Sequence, residues 1–271
     1  MNNSTKIDES NDIIKLDSVI NLTKLPTTTA HITRLRIYQP TRRPIMCTRT
    51  VETAWGTAAI TGKVGQGHAD VMEAIFTEKS KFRLLPNNMM QILVDPYRVR
   101  MAATGGEYEL GYKQFNDITT DLMRTVIDMS IPNRQYSMDK GVLLVSAKES
   151  VIDAITTKGG FGKENRKMWL IEIGEHYVRL IDKDIRLYYD LRPIALLTGG
   201  FAQAIARHLL THKNQPQDGW IIDNLIEAVG ADPNNNRRIR SKRRDELEQN
   251  AQGLKDMGII VDIRNGRIRK D

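Results

Sequence analysis

The chain has 271 residues, of which 40% are hydrophobic and 27% charged, a mixture typical of folded globular proteins and unlike that of disordered or fibrous ones. No run of about 18 or more apolar residues occurs and Met1 to Ser10 is polar, which argues against a membrane-spanning helix and a secretory signal, so we expect a cytoplasmic protein. Cys47 is the single cysteine, which excludes an internal disulfide and a cysteine zinc cluster.

The excess positive charge is concentrated near the C-terminus. The net charge is +7, and residues 234–271 contribute +5 of it, with eleven Lys and Arg against six Asp and Glu. A localised positive field indicates a polyanionic partner, either nucleic acid or an anionic membrane. A membrane is the weaker alternative, because the face opposite the charges lacks Trp and Phe and is needed for a core.

The first 190 residues predict a tail and a first domain. Residues 1–30 are polar and indicate a flexible tail, and residues 31–190 are assigned to an N-terminal domain with additional strands. A strand is predicted over Ile32–Tyr38, and apolar residues at helical spacing predict a helix over Thr61–Phe76. Asp95-Pro96 predicts the start of a second helix, since Asp is a favoured N-cap and Pro a favoured first residue.

A third helix over Tyr112–Met129 completes a candidate helix-turn-helix, because Gly105-Gly106 separates it from the second. Its polar residues are candidate DNA contacts: Lys113, Gln114, Asn116 and Arg124. Strands are predicted next. They cover Val142–Val145, Met168–Ile173, Tyr177–Leu180 and Ile185–Tyr189.

The residues after Leu191-Arg192-Pro193 predict a second domain, 191–271, with the element order of a winged helix. Helices are expected from Phe201, over Trp220–Val229 and over Asn235–Met257, and Gly230 is placed to end the second. A strand over Ile259–Ile263, an Asn265-Gly266 hairpin turn and a return strand from Arg267 to Arg269 follow. The predicted fold class is α+β, with two tandem winged-helix domains.

Six of the eight residues from Arg237 to Arg244 are basic, and they lie where the reading helix of a helix-turn-helix protein meets base edges. With Ile239 and Arg243 assigned to the core side, the other face carries Arg237, Arg240, Ser241 and Arg244. Arginine suits guanine O6 and N7, whereas basic residues on the hairpin would hold phosphates. The candidate DNA contacts of this domain are Arg237, Arg238, Arg240, Ser241, Lys242, Arg244, Arg264, Asn265, Arg267 and Arg269. The alternative is a solvated helix face on which Asp245, Glu246 and Glu248 pair with the arginines.

Three patterns suggest catalysis and each lacks a required part. Thr157–Lys163 is similar to a phosphate loop but lacks the first glycine and the final Ser or Thr. His208 and His212 have metal-ligand spacing without the zincin glutamate between them. Tyr188-Tyr189 could be a nicking nucleophile, but no histidine pair that would hold its metal occurs on a strand. We therefore expect no catalysis, no cofactor and no metal.

Two consecutive winged-helix patterns in a basic chain resemble the initiator proteins of theta-replicating, iteron-containing plasmids. The likeness covers about residues 32–271. It is strongest over Leu187–His212, Gly219-Trp220, Ile222–Val229, Arg237–Met257 and Ile259–Ile268, and looser over Gly62–Phe76 and Tyr112–Met129.

The resemblance implies a non-enzymatic protein that binds repeated duplex DNA at an origin, opens it and recruits the host helicase and initiator. It further implies that the N-terminal domain, residues 31–190, contacts DNA and dimerises, and that the homodimer represses its own gene. A winged-helix transcriptional regulator is the alternative, and a nuclease or relaxase is a third hypothesis.

Overall fold

The computed structural model describes residues 25–54, 56–132, 136–151, 167–232 and 234–271. Their buried apolar side chains form two clusters. One extends from Leu25 to Leu191 and includes Ala195, and the other extends from Ile194 to Ile268. The clusters therefore meet at residues 191–197, close to the boundary that the sequence predicts.

The first unit combines five helices with ten strands among the described residues. The helices are α1 (Ala30–Arg34), α2 (Gln66–Thr77), α3 (Pro96–Ala102), α4 (Tyr112–Arg124) and α5 (Glu175–Lys183). The strands are β1 (Thr28–Thr29), β2 (Cys47–Thr53), β3 (Gly56–Gly62), β4 (Lys79–Leu84), β5 (Met90–Val94), β6 (Val126–Ile131), β7 (Tyr136–Val142), β8 (Leu144–Val151), β9 (Lys167–Ile173) and β10 (Arg186–Leu187).

These strands form two four-stranded antiparallel sheets and a short pair. The sheet orders are β2-β3-β6-β7 and β4-β5-β9-β8, and β1 pairs with β10. The short pair places Thr28 opposite Leu187, so the start of the described chain is tied to the end of the first unit.

Several predictions for this unit are wrong. Residues 25–30 belong to the fold and not to a tail, since Leu25 and Thr29 are buried. The strand predicted from Ile32 is the helix α1 followed by a turn with a positive φ at Arg36. The predicted strand Tyr177–Leu180 lies in α5, because Tyr177, Val178, Leu180 and Ile181 are buried at helical spacing.

The helix-turn-helix predicted for the first unit also departs from the simple pattern. The strands β4 and β5 lie between α2 and α3. The helix α4 ends at Arg124, and β6 begins two residues later. The Asp95 cap is confirmed, because its side chain accepts a hydrogen bond from the backbone N–H of Tyr97 at 2.9 Å. The strand predicted at Met168–Ile173 is confirmed as β9.

The second unit has the predicted order of helices and strands, with a short additional helix at its start and a short additional strand at the start of the helix predicted over Trp220–Val229. Its elements are α6 (Arg192–Leu196), α7 (Gly200–Leu210), β11 (Trp220–Ile221), α8 (Ile222–Ala228), α9 (Arg237–Gln249), α10 (Ala251–Asp256), β12 (Ile259–Asp262) and β13 (Arg267–Lys270). The strands form one sheet in the order β11-β13-β12. The helix predicted over Asn235–Met257 is divided at Asn250, whose side-chain oxygen accepts a hydrogen bond from the Thr198 N–H at 2.8 Å.

A buried ion-pair network joins the two units. Arg207 of α7 donates to Asp70 at 2.6 Å and to both carboxylate oxygens of Glu73 at 2.8 and 2.9 Å, and it donates to Gln66 at 2.8 Å. All three acceptors lie on α2, and the side chains of the ion pair are at most 5% exposed. Since a buried charge without a partner is costly, Arg207 and the two carboxylates depend on one another.

Replacing Arg207 by Ala is expected to lower the free energy of unfolding by about 3–5 kcal/mol, because Glu73 would stay buried without a counter-charge and Asp70 would keep only Arg42. Urea unfolding of the full chain measures this. The matched control is Arg179→Ala, since Arg179 is an exposed arginine paired with Glu175 one helical turn away, and we expect a change of about 0.5 kcal/mol or less. Equal effects of the two substitutions would contradict the assigned role.

His208 gives the fold a pH dependence. Burial, and next the neighbouring His212, lower the pKa of His208 from 6.5 to about 3. Between these values the unfolded chain binds a proton at His208 and the folded chain does not. The free energy of unfolding should therefore fall as the pH drops below about 6.5, with a slope of up to about 1.4 kcal/mol per pH unit from this group. His208→Gln should have a shallower decline in urea titrations between about pH 6 and pH 4.5; parallel curves would contradict this.

Candidate nucleic-acid interface

The turn before α9 sets the start of the basic helix. Asn236 is its N-cap, because its side-chain oxygen accepts hydrogen bonds from the backbone N–H of Arg238 at 2.9 Å and of Ile239 at 3.3 Å. The buried Asp232 in turn accepts a hydrogen bond from the Asn236 N–H at 2.9 Å. This hydrogen bond, with a further contribution from Arg240, lowers the pKa of Asp232. Asp232 therefore stays ionised beside the helix start.

Arg240 points toward carboxylates of its own unit. Its guanidinium lies 2.5 Å from Glu227, 3.0 Å from Asp232 and 3.7 Å from Asp223. The hydrogen bonds to Glu227 and then to Asp232 raise the pKa of Arg240. The side chain is 17% exposed. Its predicted place on the outward face is wrong, because the acidic residues of and after α8 hold it.

Two further arginines of the run are also engaged within the unit. Arg244 donates to both carboxylate oxygens of Asp223 at 2.8 Å, and its side chain is 40% exposed, so it lies at the surface with its guanidinium paired within the unit. Arg243 lies 5.4 Å above the ring of Phe201 and donates to Glu246 at 2.9 Å. The prediction that Arg243 faces the core side is confirmed. The contacts with Asp223 and Phe201, which belong to other helices, fasten α9 to its neighbours.

The exposed face of α9 agrees only in part with the sequence prediction, which placed Arg237 and Ser241 on it together with Arg240 and Arg244. Arg237, Arg238, Ser241 and Lys242 are exposed, and Ile239 is half-buried. Among the residues that the structure describes, no carboxylate lies within ion-pair distance of Arg237, Arg238 or Lys242. The face also carries the exposed Asp245, so the cationic part occupies the first two turns of the helix.

Hydrogen bonds between Asp262 and Asn265 stabilise the turn of the hairpin between β12 and β13. Asp262 accepts hydrogen bonds from the Asn265 N–H at 3.0 Å and from its side-chain amide at 2.7 Å, and these lower the pKa of Asp262. Gly266 has a φ of +63°, a conformation that favours glycine. Asn265 is therefore held within the turn.

The basic side chains of the hairpin differ in their exposure to solvent. Arg264 and Arg269 are exposed, whereas Arg267 is half-buried and donates to the Gly219 carbonyl at 3.4 Å. Lys270 is also half-buried and donates to the His212 carbonyl at 2.6 Å. Arg264 and Arg269 are consequently the hairpin cations most accessible to a ligand.

The candidate contacts of the first unit lie on α4. Lys113, Gln114 and Arg124 are exposed, but Asn116 is half-buried, with a buried side-chain oxygen that has no hydrogen-bond partner among the described residues. The exposed Asp117 lies between Lys113 and Arg124 in the chain. This surface is therefore of mixed charge, in contrast to the start of α9.

Tyr189, His208 and His212, which suggested catalysis, lie in surroundings that do not support it. The Tyr189 hydroxyl donates to Glu73 at 2.7 Å, and burial raises its pKa well above 10, which opposes a role as nucleophile. The rings of His208 and His212 are 4.8 Å apart, but the described residues contain no group of three or more potential metal ligands. Gly159, Gly160 and Gly162 lie outside the described residues.

Comparison with solved structures shows the fold. A crystal structure of a selenomethionine derivative of domain 2 and domain 3 of RctB matches with a TM-score of 0.53 and 11% sequence identity, covering 89% of this chain and 95% of that one. A structure of RctB residues 155–483, domains 2-3, gives a TM-score of 0.47 at 12% identity, covering 85% and 86%. This chain thus shares the mixed helix and sheet fold of RctB domains 2 and 3 over both of its units.

Other comparisons returned nothing. No family model matches the sequence, and no curated protein matches it either. Within the described ranges, no helix combines the length and apolar character needed to cross a membrane.

The sequence did not identify the carboxylates that bind the α9 arginines. Asp223 and Glu227 are four residues apart in α8, a spacing that places both on one side of the helix, and this signal was available. Their pairing with Arg240 and Arg244 is a contact between two helices, which spacing within α9 cannot reveal.

Arg240→Ala is expected to lower the melting temperature of the protein, because it leaves the buried Asp232 without its cation, while Asp223 keeps only Arg244. Arg238→Ala, two residues away on the exposed face, should leave the melting temperature unchanged. Thermal unfolding followed by circular dichroism distinguishes the two. A decrease for Arg238→Ala that matches the one for Arg240→Ala would contradict the division of α9 into a structural and an exposed face.

Proposed function

We propose that this chain is a replication initiator that binds double-stranded DNA, with α9 in the major groove. The observation that carries the proposal is the exposed cationic start of α9, formed by Arg237, Arg238, Ser241 and Lys242, on a helix whose orientation is fixed by other arginines. A fixed helix with free guanidinium groups in its first turns meets the geometric need of major-groove reading.

The second unit would act as a winged helix. Its order of α7, β11, α8, α9 and the β12-β13 hairpin places the hairpin after the reading helix, and Arg264 and Arg269 would bind phosphates beside the groove. The first unit, through Lys113, Gln114 and Arg124 of α4, would add a second and weaker DNA contact, since Asp117 reduces its positive charge. Arg240 and Arg244 would act through the position of α9.

The fold supports an initiator over an isolated DNA-binding module. RctB is a replication initiator, and the match extends over both units of this chain. The finer parts of the proposal follow the resemblance to the initiators of iteron plasmids. They are binding of repeated origin sequences, opening of the origin, recruitment of the host helicase and initiator, and repression of its own gene as a homodimer, without catalysis by the chain itself.

Arg238→Ala is expected to weaken binding to a duplex that the wild-type chain selects from a random pool by roughly fivefold or more, as the loss of one guanine contact worth about 1–3 kcal/mol implies. Binding to an unselected duplex should change less. Arg264→Ala should weaken both, and reduce the slope of log affinity against log salt by about one. Fluorescence anisotropy at several salt concentrations measures these effects.

Arg179→Ala on α5 is the matched control and should leave both affinities unchanged. If Arg238→Ala and Arg264→Ala weakened selected and unselected duplexes equally, the assignment of base reading to α9 would be wrong. If the wild-type chain selected no duplex above its non-specific affinity, the proposed function itself would fail.

A plasmid test separates an initiator from a winged-helix transcriptional regulator. A plasmid that carries only this gene and its upstream DNA as replication functions should persist in a suitable host, and it should be lost when Arg238→Ala is introduced. Loss of the wild-type plasmid despite specific DNA binding in vitro would favour the regulator.

A further inference from the structure

The loop of residues 40–46 lies between the two units. On one side, Arg42 and Arg43 border a cavity of about 330 Å³ together with Gly199, Arg243 and Asn250 of the second unit. On the other side the same two arginines border a cavity of about 470 Å³ that α2 and α4 also line. The loop is thus next to both α4 and α9, the two helices proposed to contact DNA.

Polar contacts fix this loop to both units. The side chain of Gln39 binds the backbone of Ile45 in both directions, with its amide donating to the carbonyl at 2.8 Å and its oxygen accepting from the N–H at 3.3 Å. Arg42 donates to Asp70 at 3.3 Å and to the Ala195 carbonyl at 3.1 Å. The Gln66 N–H donates to the Thr41 carbonyl at 2.9 Å. The loop backbone is therefore held in one position relative to both units.

The second unit approaches the loop closely. A Cβ added to Gly200, at the start of α7, would lie about 2.5 Å from the backbone of Thr41 and Arg42, so only glycine fits there. The loop therefore cannot move closer to α7, and its opposite side faces solvent.

This rigid loop displays apolar side chains next to an exposed arginine. Ile45 is 67% exposed and Met46 66%, more than any other large hydrophobic side chain among the described residues. Arg43 beside them is exposed. No Asp or Glu occurs from Ile32 to Val51. Asp70, Asp117 and Asp121 line the cavity on one side of the loop, and Arg42 is paired with Asp70. An apolar tip is costly to expose, and the exposed guanidinium of Arg43 beside it favours a polyanion as the partner that covers it.

We propose that Ile45 and Met46 form a wedge that enters the minor groove of the bound duplex and separates two stacked base pairs, while Arg43 binds an adjacent phosphate. Proteins that kink DNA from the minor groove insert Ile, Met, Leu, Phe or Pro side chains and flank them with basic residues. The segment Pro44-Ile45-Met46 after Arg42-Arg43 has the same combination of apolar and basic residues. Because the loop is fixed to both units, its side chains would keep their position when they enter between two base pairs. This inference rests on the proposed DNA binding and adds a function to it, the local unstacking of the duplex.

The test uses the full chain and a selected duplex labelled at its two ends for fluorescence energy transfer. The double variant Ile45→Ser/Met46→Ser should reduce the protein-induced bend by about 20° or more, and should weaken binding at least about threefold, because the unstacked step is no longer filled. Both side chains are exposed, so the melting temperature should not change. Arg43→Ala should lower the salt slope by about one without abolishing the bend.

Val145→Ser is the matched control, since Val145 is an exposed aliphatic residue, 42% exposed, on β8. It should change neither bend nor affinity. The wedge is wrong if the wild-type chain binds its duplex without bending it, or if the double variant bends it as the wild type does. It is also wrong if the double variant alters only self-association in sedimentation analysis, which would make the loop a protein contact. Failure of the wild-type chain to select any duplex would instead overturn the proposed function.

Discussion

The three carboxylates of Asp223, Glu227 and Asp232 bind Arg240 and Arg244, and this pairing decides which side of α9 faces solvent. An arginine held by carboxylates of its own unit is less available to a phosphate or a base. The six basic residues from Arg237 to Arg244 therefore divide into two groups with different roles. One group orients the helix, and the other, at its first two turns, is left for a ligand.

At the junction between the units, too, carboxylates from a neighbouring helix hold an arginine. Arg207 is satisfied by α2 alone, and its partner Asp70 also accepts hydrogen bonds from Arg42 and Gln203. A carboxylate shared among α7, the 40–46 loop and α2 makes the position of the loop depend on the contact between the units. The two candidate DNA contacts and the loop between them are consequently placed by one polar network, and a change at Asp70 should be felt at all of them.

Much of the second unit could be predicted from sequence because its signals are local. Asn265-Gly266 marks the hairpin, Gly230 ends α8 with a φ of +69°, and helical spacing defines α7. The rotation of α9 could not be predicted, because Leu247 is its only fully buried residue and one apolar position does not fix a helix about its axis. Contacts from another helix fix it.

The first unit was predicted less well for related reasons. The strands β2 and β3 were missed because neither has a clear apolar alternation. Val51 is the one buried residue of the Thr-rich β2, and β3 consists of Gly, Ala and Thr apart from Ile60. The short run Tyr177–Leu180 fitted a strand only because the window was too narrow to include the whole apolar face of α5. The sequence of the loop at 40–46 is notable for the absence of acidic residues. That composition did not predict the position of the loop between the two units.

The most direct test of the account is photo-crosslinking from α9 itself. In a Cys47→Ser background, a photoreactive group attached through Ser241→Cys should crosslink to bases of the selected duplex, whereas the same group attached through Glu248→Cys, an exposed position in the last turn of α9, should give few or no base crosslinks. Base crosslinks from position 248 and none from position 241 would show that the cationic start of α9 does not face the DNA.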